Sequence, residues 1–280
     1  LILLDNDRGL LAYHNRYLPR LSWLLSLFFD HQKQKERFYS NIHESILYGL
    51  LDEKNADMAR ERAAAMLTAV PEQLYCLCIF PQFFSEVDSG YYAARIEQLL
   101  PGSMAAALEE EVIVMADASL KIADMSVPGW DEDLHNIRMI GVSRPFSRPR
   151  DLAVYERQAK SACRIGNRVA PQDKIYYYDK YEFYDLLLSI PDQSRLRSYI
   201  HPAILKLKQY DDSNDTRLSE TLRCYLQCGS GKETASRLYL HRNTLVYRLA
   251  RIRELTGLTL EDPDEIFRLR CSYMILQLYQ

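Results

Sequence analysis

The spacing of apolar positions changes character twice along the chain. Residues 10–29 read as an apolar helix interrupted near Pro19. From Gln32 to Leu51 the pattern turns amphipathic: Phe38, Ile42, Ile46 and Leu50 recur at four-residue spacing, behind the polar run Lys33, Lys35, Glu36 and Arg37. Asn55 is placed to cap a further helix, ADMARERAAAMLT, which stops before Pro71. The stripe at 32–51 has two readings, a core helix pair or a linker helix that pairs with its twin in a dimer. It is too short to decide between them.

Between 73 and 190 short apolar runs alternate with helical patterns. QLYCLCIF suits a buried strand, and YYAARIEQLLPG a helix stopped by Pro101 and Gly102. SMAAALEEEVIVMAD reads as two strands around an acidic turn, and NIRMIGVS as another strand. DLAVYERQAKSACRIG predicts a helix capped by Asp151 and ended by Gly166. KIYYYD is a strand, and DKYEFYDLLLSI a helix with Asp179 and Glu182 at capping-box spacing. The order strand, helix, hairpin, strand, helix, strand, helix predicts an α+β sheet covered by helices. From Ser194 onward the chain reads as helical again, with QYDDSNDTRL as a polar break. EDPDEIF is a strong helix start: Asp262 caps, Pro263 takes the first helical position, and Asp264 and Glu265 favour the positive end of the dipole.

GKETASRLYLHRNTLVYRLARIRELTG carries a more specific spacing. Ala235 is small, as a close helix crossing requires, and Leu238 and Leu240 bracket a turn and face inward. Leu245, Leu249 and Ile252 form one buried stripe on the second helix, which Gly257 ends. This is the spacing of a helix-turn-helix. It departs from many such motifs at Tyr239, where they place Gly, so the turn is expected to use a conformation that a non-glycine residue accepts. With Leu245 and Leu249 inward, Asn243, Tyr247 and Arg251 fall on the opposite face, Arg242 and Thr244 at the first turn, and Arg248 on the flank. A recognition helix reads base edges with its first turns. Arg suits guanine and Asn suits adenine, because each can make two hydrogen bonds to one base. Lys232, Arg237 and Arg253 are placed to reach phosphates.

Charge sharpens that reading. The whole chain has a net charge of -3, which excludes a globally basic nucleic-acid binder and leaves room only for a local patch. Between 232 and 256 six basic residues face two acidic ones, a local +4 before His241 is counted. That reversal is the footprint of a phosphate-facing surface. The longest apolar run, LSWLLSLFF at 21–29, is shorter than the ~18 residues of a membrane span. The six cysteines form no disulfide framework or metal-ligand cluster, so reduced thiols are expected. GSGKET is no phosphate loop, because position 226 is Leu and Glu233 follows Lys232; Gly229 is expected to end one helix and Ser230 or Gly231 to start the next. In SRPFSRPR, Arg144, Arg148 and Arg150 lie in a surface loop leading into a helix, with an anionic-ligand contact as the lesser reading.

The stretch from about Ser194 to Tyr279 closely resembles the C-terminal helix-turn-helix of the PucR/CdaR-type bacterial transcriptional regulators, the purine-catabolism and sugar-diacid regulators. HRNTLVYRL is the most specific piece and LTGLTLEDPDE supports it. The resemblance places Arg242, Asn243, Thr244, Tyr247 and Arg248 on the recognition helix. The same family often carries a degenerate GGDEF-like domain before this module, and the element order over 73–190 is similar to one. In ALEEEVIVMA, Leu108 and Glu109 stand where an active cyclase has glycines that let its backbone approach the nucleotide, and Glu110, Glu111 and Val112 finish the motif. CIFPQFF lacks the Asp with which active enzymes hold Mg²⁺. The three glutamates are therefore expected to form a solvated turn, and the domain to serve as a scaffold or dimer former.

The expected fold class is α+β. It comprises a helical linker with the remnant of an upstream, GAF-like sensory domain over 1–70, a degenerate GGDEF-like α/β sandwich over 71–192, and an all-α helix-turn-helix domain over 193–280. The opening LILLDNDRGLL, without Met or a signal pattern, suggests an N-terminally truncated fragment. The expected function is that of a cytoplasmic, effector-responsive DNA-binding transcriptional regulator, reading an operator half-site with helix 242–256. The expected DNA-binding residues are Lys232, Arg237, His241, Arg242, Asn243, Thr244, Tyr247, Arg248 and Arg251. No catalytic residue, cofactor, metal or membrane contact is expected. The expected partners are double-stranded DNA, a second copy of the chain, and a small-molecule effector acting through the upstream domain. The rival is a nucleotide-binding or cyclase-like GGDEF protein with an accessory helical tail, which the degenerate hairpin disfavours.

Overall fold

Alternation along LYCLCIFP buries both faces of one strand and so sets the layers of the first unit. The computed structural model describes residues 42–52, 61, 71–82, 86–108, 110–120 and 137–279. The readings of 10–29, of Phe38 and, apart from position 61, of ADMARERAAAMLT lie outside them. The chain divides into two compact units, one running to Cys163 with Asp173–Asp179, the other comprising Arg164–Gln172 and everything from Lys180.

The first unit holds a five-stranded sheet in the order β2-β3-β1-β4-β5. Its strands are β1 (Leu74–Pro81), β2 (Met104–Ala107), β3 (Val112–Asp117), β4 (Ile137–Val142) and β5 (Ile175–Tyr177). β1 pairs antiparallel with β3 and β4, β2 and β3 form the expected hairpin, and β5 joins parallel to β4. On one face Leu77, Ile79, Val114 and Ile140 pack with Ala93, Ile96 and Leu100 at helix α1 (Glu86–Leu99). On the other, Cys76, Cys78, Ile113 and Met115 pack with Leu152 and Ala159 of helix α2 (Leu152–Val169). Residues 42–51 are helical and bury Ile46, Leu47 and Leu50 in that second cluster. The described half of the amphipathic stripe is thus buried against the sheet, while the helix that would complete a core pair lies outside the described residues. Tyr48 adds a bond from its hydroxyl to the carbonyl of Ala107 at the end of β2, and His43 pairs with Glu97 of α1 at 2.7 Å.

Four expectations need correction here. Asp151 does not cap α2: it ends a 3₁₀ turn, Pro149–Asp151, and its carboxylate takes the Nε–H of Arg148 at 2.9 Å. Gly166 does not stop the helix, which runs to Val169, because burial of Ile165 and Gly166 holds the last turn in place. Asp179 is not an N-cap, since helix α3 (Tyr178–Leu188) has already begun; its Oδ1 accepts from Arg144 Nε at 2.9 Å. The acidic hairpin turn is not wholly solvated. Glu111 is buried and paired with Lys160 of α2, which also holds Glu156 at 2.5 Å. Burial raises the Glu111 carboxyl above its usual range against the pull of Lys160. Burial also works against the Lys160 ammonium, yet the two carboxylates more than offset it and hold the amine protonated.

The second unit is helical. After α3 come α4 (Gln193–Leu196), α5 (Pro202–Asn214), α6 (Leu218–Cys228), α7 (Gly231–Arg237), α8 (Arg242–Thr256) and α9 (Pro263–Gln277). Ile204, Leu207, Leu222, Leu226, Leu245, Leu249, Ile252 and Leu269 form its core. QYDDSNDTRL is less of a break than its composition suggests. Most of it extends α5, and Asp211 reaches across to cap α6, accepting from the backbone N–H of Leu218 and Ser219 at 2.8 Å each. Asp262 caps α9 with Pro263 at its first position, as expected. All six cysteines are free thiols.

Candidate nucleic-acid interface

Two helices and a tight turn present the basic stretch. Gly229 takes a left-handed φ of +70° and closes α6. Ser230 then caps α7 by accepting from the N–H of Glu233. Ala235 is buried at the crossing and Gly257 ends α8 at φ +73°, both as the spacing predicts. The stripe Leu245, Leu249 and Ile252 is buried.

The turn departs from expectation. Leu238 and Leu240 are only half-buried. Tyr239 takes φ +53°, the left-handed region that favours glycine, and its side chain is 97% exposed. Its N–H bonds the carbonyl of Ser236, and that of Leu240 bonds Ala235. This is the hydrogen-bond pattern of a Schellman helix end, with tyrosine in the position glycine usually holds.

The sequence-selected residues separate into two groups. Lys232, Arg237, His241, Arg242, Asn243 and Thr244 are exposed, as is Tyr247 at 70%. Of these, His241 is also the N-cap of α8: its Nδ1 accepts from the backbone N–H of Asn243 at 3.2 Å. Arg242, Asn243, Thr244 and Tyr247 share the first turns of α8. Arg248 and Arg251, by contrast, are half-buried and turned to their own domain. Arg248 Nη1 donates to Thr221 Oγ1 of α6 at 3.1 Å. Arg251 donates to Glu254 Oε2 at 2.6 Å and to the Tyr210 hydroxyl at 3.2 Å, with its guanidinium 5.4 Å from the centre of the Tyr210 ring. The bonds to Glu254 and then Tyr210 hold that guanidinium protonated even more firmly than usual. Arg253 remains exposed, with Nε bonded to the carbonyl of Thr259 at 3.2 Å. Sequence reasoning missed Val246, which is 58% exposed on α8; its four-residue spacing from Arg242 was the available signal.

A short helix, a tight turn and a longer helix anchored by an apolar stripe make up a helix-turn-helix. Residues 218–275 match the PucR C-terminal helix-turn-helix domain. The chain is also similar to the proline-responsive transcriptional activator PutR of Bacillus subtilis (strain 168), 32% identical over 50% of this chain and 34% of that protein. Similarity to the purine catabolism regulatory protein of the same organism is 32% over 43% of this chain and 23% of that one. The carbohydrate diacid regulator of Escherichia coli (strain K12) is 30% identical over 57% of this chain and 44% of its own length. The chain thus spans less than half the length of each of these relatives. A crystal structure described as a regulator of polyketide synthase expression from Bifidobacterium adolescentis aligns with 85% of this chain and 93% of its own, at 18% identity and a TM-score of 0.39.

Within the matched stretch, α8 is the second helix of the helix-turn-helix, and its first turns expose Arg242, Asn243, Thr244 and Tyr247. Among the described residues no cluster of His, Cys, Asp and Glu could hold a metal ion, and no helix is long and apolar enough to cross a membrane.

Proposed function

We propose that the chain acts as a DNA-binding transcriptional regulator that reads an operator half-site with α8. One observation carries the reading. The first turns of α8 expose Arg242, Asn243, Thr244 and Tyr247 in a stretch that is locally basic, on a helix-turn-helix that matches the PucR type. Arg242 and Asn243 have the donor geometry to read bases, and Lys232 and Arg237 are the phosphate contacts. One such motif contacts only a half-site, so the working unit is a homodimer in the cytoplasm. Three relatives carry small molecules in their names, proline, purines and carbohydrate diacids; the proposal includes a small-molecule effector for this chain as well.

The sheet unit is read as a degenerate, non-catalytic GGDEF-like scaffold. Supporting this, the last carboxylate of its acidic turn, Glu111, is turned inward onto Lys160. Incubation with GTP and Mg²⁺ is expected to yield no cyclic dinucleotide; its formation would overturn the scaffold reading.

The main test is selection of random double-stranded DNA by the chain, followed by gel-shift titration. A palindromic operator is expected, with Arg242→Ala or Asn243→Ala each costing about 1–3 kcal/mol of binding. Affinity should also fall steeply with salt. Failure to enrich any sequence would sink the proposal.

A further inference from the structure

Val246 is an apolar side chain standing 58% exposed on α8. It lies four residues after Arg242 and three after Asn243, the spacings that place side chains together on one face of a helix. Exposed Tyr247 flanks it, and exposed Ala250, four residues on, is too small to screen it. Because Arg248 is bonded to Thr221 and Arg251 to Glu254 and Tyr210, the surface that α8 offers a partner is centred on Arg242, Asn243, Val246 and Tyr247.

A single exposed valine is ordinary on a protein surface. This one stands among the side chains best suited to base edges, in a stretch of local charge +4. In the major groove the apolar feature a base pair presents is the C5 methyl of thymine. Valine suits it chemically, and its branched side chain has little rotamer freedom to lose on contact.

We infer that Val246 is a specificity-determining residue that packs on one thymine methyl in each operator half-site. The inference rests on the proposed reading of α8 as the recognition helix. Its test uses the selected operator, with each thymine of the half-site replaced in turn by deoxyuridine, which removes only the methyl. One position is expected to lose about fourfold in affinity, the equivalent of one buried methyl group. In Val246→Ala that loss should vanish, while any loss at another thymine should persist. The substituted site is exposed and alanine favours helix, so circular dichroism and the unfolding midpoint should match the parent. Indifference to every deoxyuridine, or a sensitivity that survives in Val246→Ala, overturns the inference and leaves the regulator reading intact. A chain that enriches no operator overturns both.

Discussion

Arg248 of α8 donates from Nη1 to Oγ1 of Thr221, a hydroxyl with no solvent exposure on α6, across 3.1 Å. The Thr221 hydroxyl in turn donates to the carbonyl of Arg217 at 2.7 Å. The guanidinium therefore helps fix α8 against α6 and is not free in the way Arg242 is. Arg248→Ala should lower the unfolding free energy by about 1.5 kcal/mol, the low end of the range for a hydrogen bond to a charged group, because the guanidinium is half-buried. Arg242→Ala, an exposed change, should stay within about 0.5 kcal/mol. Operator affinity should show the reverse order. Urea unfolding and gel-shift titration of the two variants check this, and equal stabilities would remove the anchoring role.

Tyr239 holds the position that ends α7 in a left-handed conformation at φ +53°. An L-residue with a Cβ is strained there by roughly 1–2 kcal/mol, whereas glycine is not. Tyr239→Gly also gains freedom in the unfolded chain, which offsets part of the relief. With the side chain 97% exposed there is little packing to lose. The net expectation is a stabilisation of about 0.5–1 kcal/mol, read as a higher urea midpoint at unchanged slope. A lower midpoint would mean that the tyrosine ring makes a stabilising contact of its own.

Features set by local rules were legible before the structure. Leu245, Leu249 and Ile252 announce their buried face by spacing alone, and Gly257 and the Asp262–Pro263 pair mark helix ends through backbone conformation and capping. The element order of the sheet unit was legible for the same reason. Features decided by partners distant in sequence were not. Gly166 looks like a stop, yet tertiary burial carries α2 past it. Glu111 looks like part of a solvated run until Lys160 is brought beneath it. Arg248 and Arg251 fall on plausible outward positions of a helical wheel, but long side chains fold back, and their partners Thr221 and Tyr210 are 27 and 41 residues away. Val246 was overlooked because an apolar residue beside Leu245 reads as more of the same stripe.

Gly141 of β4 lies where α2 crosses the sheet. A Cβ built there would stand 2.0 Å from the carbonyl oxygen of Ala159 and 2.9 Å from Cys163 Sγ. The nearer obstacle is backbone, so no rotamer change can relieve it and α2 must move off the sheet. Gly141→Ala is expected to cost about 3 kcal/mol or more, the upper end of overpacking. It should leave the isolated signals of the helical unit less affected than those of the sheet unit, as followed by residue-resolved hydrogen exchange. A near-neutral change would show that α2 can shift without penalty.

Lys160 holds two carboxylates together, Glu111 with a side chain 6% exposed and Glu156 at 13%, and is itself 41% exposed. Its folded pKa is raised, so its contribution is complete below the unfolded lysine value of about 10.4 and fades as pH rises through the folded value. At neutral pH the stabilisation is fully present. Lys160→Met strips the buried carboxylates of their cation. Loss of one partner of a fully buried pair costs about 3–5 kcal/mol, and water access to Lys160 discounts this to about 2–3. Without the ammonium, the already raised Glu111 carboxyl rises further. The folded variant then binds protons more tightly than the unfolded chain, so its deficit relative to the parent should shrink as pH falls through the carboxylate range. Urea unfolding of parent and variant at about pH 7 and about pH 4.5 measures this. A deficit that does not change between the two would assign the loss to the packing of the lysine stem and not to its charge.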